Sequence, residues 1–173
     1  EALAAHGYRE VGQEYLQNVL DTAKQLDAYD SGRIYYYLGE YQKAYLALDE
    51  ARDKGGADSY LYLGRAYAAT GDYNYASSVY NNYLSKQGPN AEIYNELGLC
   101  EMAKKEYQNA LAAFQAGKQI EGNSLMQTLC FNEIVAYEYL EDYQQAEVLM
   151  NAYLQNYPDD QTAIREQQFL STR

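Results

Sequence analysis

Two arginines stand out because so little of this chain is basic. Arg33 and Arg65 each follow a glycine, Gly32 and Gly64, in a sequence of 173 residues that sets 13 Lys and Arg against 25 Asp and Glu. At a formal net charge of −12, two guanidinium groups on one face would reverse the local field. The guanidinium is planar, permanently charged and suited to bidentate capture of a carboxylate. Tyr29, Tyr36 and Tyr37 lie close to Arg33 in the chain, and tyrosine gives broad contact with little rotamer entropy to lose. The chemistry this points to is the holding of an acidic or C-terminal group on a peptide. The competing expectation is that both arginines pair with neighbouring acids and the tyrosines pad a solvated surface.

Catalysis has far less to work with. His6 is the only histidine, and neither a nucleophile nor a carboxylate can be tied to it. No glycine-rich phosphate loop follows a strand, because no strand pattern is present. Cys100 and Cys130 are too few for a closed zinc site. Their register sets them about two helical turns apart, on the order of 9 Å, which is longer than a disulfide spans. They read as buried, inert thiols. No enzyme activity, cofactor or metal is expected. The acidity argues against nucleic acid as a partner, since a phosphate backbone would be repelled.

What would bring Arg33 and Arg65 together is a repeat. The runs Gly39-Glu40-Tyr41-Gln42-Lys43-Ala44, Gly71-Asp72-Tyr73-Asn74-Tyr75-Ala76, Lys105-Glu106-Tyr107-Gln108-Asn109-Ala110 and Glu141-Asp142-Tyr143-Gln144-Gln145-Ala146 follow a degenerate first copy, His6 to Val11. The small residue closing each copy recurs after 33, 32, 34 and 36 residues. Self-similarity near that period marks a helical solenoid, in which each unit buries its apolar face only against the next. Tyr15, Leu48, Tyr80, Phe114 and Met150 follow the small residue by four, one helical turn on. The small residue lets a second helix come close, and the large one fills the gap between them.

Upstream, Tyr60-Leu61-Tyr62-Leu63-Gly64 and Tyr94-Asn95-Glu96-Leu97-Gly98 carry an aromatic and a Leu-Gly pair at helical spacing. With these motifs the chain resembles the tetratricopeptide repeat (TPR) family over nearly its whole length. The resemblance implies an all-α, right-handed helical-repeat solenoid of about ten helices, forming one domain over 1–173. The units are a half repeat at 1–24, repeats at 25–56, 57–90, 91–124 and 125–158, and a capping helix at 159–171. The first boundary has neither Pro nor Gly between Asp21 and Asp30, so the first helix is expected to run on to about Asp27. Ser124 and Gln127 have the spacing of a capping box. Departures from the family pattern are Glu101 in a slot that elsewhere holds Tyr67 and Tyr137, and Glu133-Ile134 in place of Leu-Gly.

Tyrosine is over-represented, with 22 beside three Phe and no Trp. Most fall at helix starts, in the packing slots or on inward stripes. Tyr29, Tyr36, Tyr37, Tyr45, Tyr62, Tyr75, Tyr139 and Tyr157 have no core assignment. The resemblance puts Tyr29, Tyr36, Tyr37 and Tyr139 on the face that lines the family's concave groove. It makes the protein an interaction module holding a peptide or partner-protein segment at Tyr29, Arg33, Tyr36, Tyr37, Arg65 and Asn95, with apolar contacts at Leu99, Met102, Phe131, Val135 and Tyr139. The lysine and asparagine set by which chaperone-binding members grip a C-terminal carboxylate is not reproduced, which argues against a chaperone tail.

The alternative is an assembly or spacer element of a longer solenoid or homo-oligomer. Its mark would be an apolar surface around Val11, Tyr15, Leu16 and Val19, left uncovered at the N-terminal end and open to self-association. The absence of an initiator methionine suggests that a signal peptide or further repeats have been removed, and few lysines beside many Tyr, Asn and Gln lean toward a bacterial extracytoplasmic protein, with cytosol left open. No apolar run is long enough to insert in a membrane.

Overall fold

The structure, a computed structural model, describes residues 9–23, 25–52 and 56–173. The readings made on Glu1 to Ala5, His6, Tyr8 and Gly55 lie outside the described residues. Ten helices and no strand are found among the rest: α1 Arg9–Thr22, α2 Ala28–Leu38, α3 Tyr41–Ala51, α4 Gly56–Ala69, α5 Tyr73–Gln87, α6 Ala91–Ala103, α7 Tyr107–Lys118, α8 Met126–Tyr139, α9 Tyr143–Asn156 and α10 Gln161–Leu170. The fold is all-α helical repeat. No helix among the described residues is long and apolar enough to cross a bilayer.

The packing of each pair follows from the small and large residues one turn apart. Ala44, Ala76, Ala110 and Ala146 are buried completely, and so are Leu48, Tyr80, Phe114 and Met150. Two of these large side chains rest directly on a glycine of the facing helix. A Cβ on Gly98 would lie 2.3 Å from the Phe114 ring, and one on Gly32 would lie 2.5 Å from Leu48 Cγ. Glycine is needed there to admit the neighbour, not for its backbone freedom. The degenerate first copy differs: Val11 and Tyr15 occupy the same register on α1 yet are largely exposed.

The helices gather into two compact units, one reaching to Val79 and the other beginning at Tyr80, so α5 contributes to both. Within the first, α1 packs on α2, α2 on α3 and α3 on α4, with a further contact between α2 and α4. Within the second, α6 to α10 pack each on the next. The core of the second unit includes Ala110, Leu111, Phe114, Leu129 and Ala136 in one cluster. Ile134, Ala146, Met150, Tyr153, Ala163 and Leu170 form another.

Two helix boundaries differ from expectation, one set by a side-chain cap and the other by a side chain in the turn before it. The first helix ends at Thr22 instead of running to Asp27. Asp27 is the cap of α2, its carboxylate accepting a hydrogen bond of 2.8 Å from the Asp30 amide. A capped start satisfies an otherwise orphaned donor, which an unbroken helix through Asp27 would not require. The capping box read at Ser124 and Gln127 does not form. Asn123 serves the turn before α8 instead, donating to Ile120 O at 2.6 Å and accepting from Leu125 N at 3.1 Å. Gln127 is drawn away to Tyr153.

The acids that interrupt the repeat pattern are buried and partnered. Glu101 pairs with Lys104 at 2.8 Å. Glu133 pairs with Lys118 and accepts from Gln115 Nε2 at 2.9 Å. A buried carboxylate without such partners would be costly. Both cysteines are free thiols. Burial pushes the Cys100 thiol up to about 12 and raises Cys130 as well, so neither is a ready nucleophile.

Candidate interaction site

In the first unit the candidate residues converge on a side chain that had no assigned role. Tyr62 stands on α4, facing α2. The Arg33 guanidinium lies 5.1 Å from its ring centre and that of Arg65 lies 5.9 Å from it. Arg33 also sits 5.2 Å from the ring of Tyr29. Tyr36 and Tyr37 close the group, each edge-on to Tyr62 with ring centres at 5.5 and 5.8 Å. The Tyr37 and Tyr62 hydroxyls share a hydrogen bond of 2.6 Å.

Helical spacing places these groups. Tyr29 and Arg33 are four residues apart on α2 and Tyr62 and Arg65 three apart on α4, so each pair shares a face. Contact between α2 and α4 then sets the faces side by side. The Tyr62–Arg65 spacing is visible in the sequence and is the signal by which Tyr62 is recognisable. Its register partner one repeat earlier is Asp30, which hides it from a repeat-by-repeat reading.

The electrostatics are those of a cation held by π faces. Among the described residues no carboxylate forms an ion pair with Arg33, and its Nε is shut from solvent without a hydrogen-bond partner. The expectation that neighbouring acids consume both arginines therefore fails for Arg33. Asp58 accepts from the Tyr29 hydroxyl, at 3.2 Å. Burial, opposed by Arg33 and reinforced by Asp58, raises the Tyr29 hydroxyl above its ordinary value. Arg65 makes further interactions of its own.

The remaining candidates belong to the second unit. Asn95 is buried, and its side-chain oxygen accepts from Asn132 Nδ2 at 2.8 Å. Leu99 and Tyr139 are exposed at 43% and 57%, which leaves both able to meet a ligand. The Tyr139 ring stacks on Tyr107 at 5.0 Å. Met102 is half-buried against the Ala110–Phe114 cluster, so part of its surface is already taken up by the core. Phe131 and Val135 are half-buried on α8, and Phe131 meets Tyr153 edge to face at 5.8 Å. Asn132, not among the candidates, belongs with them through its bond to Asn95.

The sequence profile described as tetratricopeptide repeat matches residues 29–74 and 63–123. No curated protein matches the sequence. Among solved structures, a thermophilic TPR protein of Thermus thermophilus is similar with a TM-score of 0.74 at 16% identity, over 99% of this chain and 95% of that one. The MamA protein is similar with a TM-score of 0.72 at 19% identity, over 83% and 78% of the two chains. The second TPR domain of human RPAP3, solved in complex with the HSP70 peptide SGPTIEEVD, is similar with a TM-score of 0.57 at 16% identity, over 64% and 90%.

Proposed function

Because the chain belongs to the tetratricopeptide repeat family, whose fold is generally a protein-interaction module, we propose that it binds a peptide or partner-protein segment and catalyses no reaction. The acidic or C-terminal carboxylate of that segment is held by Arg33 and Arg65. The observation that carries this reading is the placing of both guanidinium groups over the single ring of Tyr62, framed by Tyr29, Tyr36 and Tyr37. Stacking on tyrosine orients the guanidinium edge while leaving its charge uncancelled, which pre-organises Arg33 for an incoming oxyanion. A related fold, the human RPAP3 domain, is known in complex with the peptide SGPTIEEVD, which supports a peptide as the class of ligand. In the second unit Leu99, Phe131, Val135 and Tyr139 offer apolar contact to the same class of ligand.

The test uses the partner recovered by pull-down from the native host. Arg33→Glu with Arg65→Glu is expected to reduce its capture at least tenfold, the scale of losing a charge-assisted bidentate contact. The thermal midpoint should fall by only a few degrees. Undiminished capture by the folded double variant would overturn the arginine reading.

A second reading, assembly through the N-terminal end, is favoured by one observation. Val11 and Tyr15 are exposed at 54% and 64% on α1. An apolar stripe of this kind is a surface for a second copy of the chain.

A further inference from the structure

The second unit holds a cleft of opposite character to the arginine-bearing face, and of its lining the peptide reading uses only Phe131. It lies between α8, α9 and the start of α10, has a volume of about 280 Å³, and is lined in part by Phe131 and Tyr153. Gln127, Asn132 and Asp160 stand on its walls. That volume is at the lower end of ligand clefts and suits one long side chain rather than a drug-sized molecule.

The carboxylate and both amides here are already oriented, and the Thr128 and Thr162 hydroxyls are left to turn. The Asp160 carboxylate caps α10, with Oδ1 accepting from the amides of Thr162 at 3.0 Å and Ala163 at 3.2 Å. Its Oδ2 accepts from the Tyr153 hydroxyl at 2.6 Å and from Gln127 Nε2 at 3.4 Å. Gln127 Nε2 also donates to the Tyr153 oxygen at 3.1 Å, while Asn132 Nδ2 donates to Asn95 at 2.8 Å. Both amide nitrogens are thus engaged by the protein. Among the described residues, no donor reaches Gln127 Oε1 or Asn132 Oδ1.

No Lys, Arg or His lines the cleft among the described residues. What remains for an occupant is one full negative charge, two amide oxygens, the hydroxyls of Thr128 and Thr162, and two aromatic rings. The N-terminus of α10 opposes this with about half a positive charge, so the local balance stays negative. Hydrogen bonds to the carboxylate, that of Tyr153 first, hold Asp160 below its ordinary value and keep it charged through the neutral range. A carboxylate ligand would face the Asp160 charge and two amide oxygens with only the threonine hydroxyls to donate to it, and an apolar one would leave the two amide oxygens unpaired.

We propose that this cleft receives an arginine side chain of a partner protein, its guanidinium laid against Phe131 and its N–H groups directed to Gln127 Oε1 and Asn132 Oδ1. Arginine fits better than lysine because it is flat, weakly hydrated and brings five donors in a fixed fork. Because the four hydrogen-bonding positions of Asp160 are taken, that residue acts by its field rather than by direct contact. The chain's net charge of −12 draws basic segments toward it at long range. The proposal shares Phe131 with the peptide reading but not its arginines, which lie in the other unit and carry the opposite charge.

The experiment follows backbone amide shifts of the full chain by NMR during titration with blocked amino acids, N-acetyl-arginine amide against the lysine, norleucine and glutamate counterparts. Saturable shifts at Gln127, Thr128 and Thr162 are expected with the arginine amide in the millimolar range, weaker with lysine and absent with the other two. Asp160→Asn keeps a competent cap for α10 while removing the charge. It should weaken the arginine response about fivefold while the thermal midpoint falls by a few degrees at most, through loss of the Tyr153 bond to Oδ2, and Phe131→Leu should weaken the response comparably. No saturable shift with the arginine amide, an equal response to norleucine amide, or full retention of the arginine response in both variants would each overturn the proposal.

Discussion

Four residues open the short turn between paired helices, and all four take a left-handed conformation: Gly39 at φ 80°, Gly71 at 84°, Lys105 at 64° and Glu141 at 61°. The first two are glycines and meet no steric penalty. The other two carry a Cβ into a region that costs an L-residue roughly 1–2 kcal/mol. Replacing them by glycine removes that strain but adds about 0.5–1 kcal/mol of chain entropy to be lost on folding. Lys105→Gly and Glu141→Gly should therefore each stabilise the protein by roughly 0.5–1 kcal/mol, read as higher urea midpoints at an unchanged slope. A fall in either midpoint would show that the lysine or glutamate makes a compensating interaction in its turn. The repeat was legible at this scale wherever a residue type is itself the contact, as with Ala110, Phe114 and Gly98. Tyr62 was not, because its importance arises only when α2 and α4 lie side by side. Asn132 escaped for the same reason, its one visible purpose being a hydrogen bond to a residue 37 positions earlier.

At the scale of elements, helix existence was readable and helix starts were less so. The periodic apolar stripe reports burial, which is averaged over several turns. A boundary depends on one side chain, Asp27 at the start of α2 and Asn123 in the turn before α8, and a single side chain leaves no periodic trace. The last element, α10, carries a titratable contact with α8. Glu138 of α8 has a buried oxygen without a hydrogen-bond partner, and its carboxyl is pushed up to about 7 by burial and by the neighbouring carboxylate of Glu166 on α10. Glu138 thus stays protonated in the folded protein to a higher pH than in the unfolded chain. Its stabilising contribution is complete below the ordinary value of 4.5 and is lost as pH rises through about 7. Glu138→Gln, neutral at every pH, should match wild type in thermal midpoint near pH 4 and exceed it at pH 8. The gain at pH 8 is on the order of 1 kcal/mol once solvent screening of a half-buried group is allowed for. Equal differences between the two proteins at both pH values would remove the carboxyl pair as the cause.

For the molecule as a whole, charge and the apolar face of α1 pull in opposite directions. Val11 and Tyr15 are exposed, with Leu16 and Val19 half-buried on the same helix. Covering a few such side chains gives about 1.5–3 kcal/mol each at full burial, most of which is consumed by the entropy of association. Two copies also bring together net charges of −12 each, whose repulsion at low ionic strength extends well beyond contact. Self-association through α1 is therefore expected to be weak, and to strengthen as salt screens the repulsion. Capture of an acidic peptide by Arg33 must do the reverse, since added salt weakens attraction between exposed opposite charges. Sedimentation should show monomer at about 10 µM in dilute buffer and reversible association toward about 1 mM in about 0.5 M salt. Val11→Asp with Tyr15→Glu should abolish that association while leaving peptide capture intact. If association survives the double variant, α1 is not the contact. If the wild type stays monomeric at high salt and high concentration, the assembly reading fails and peptide binding alone remains.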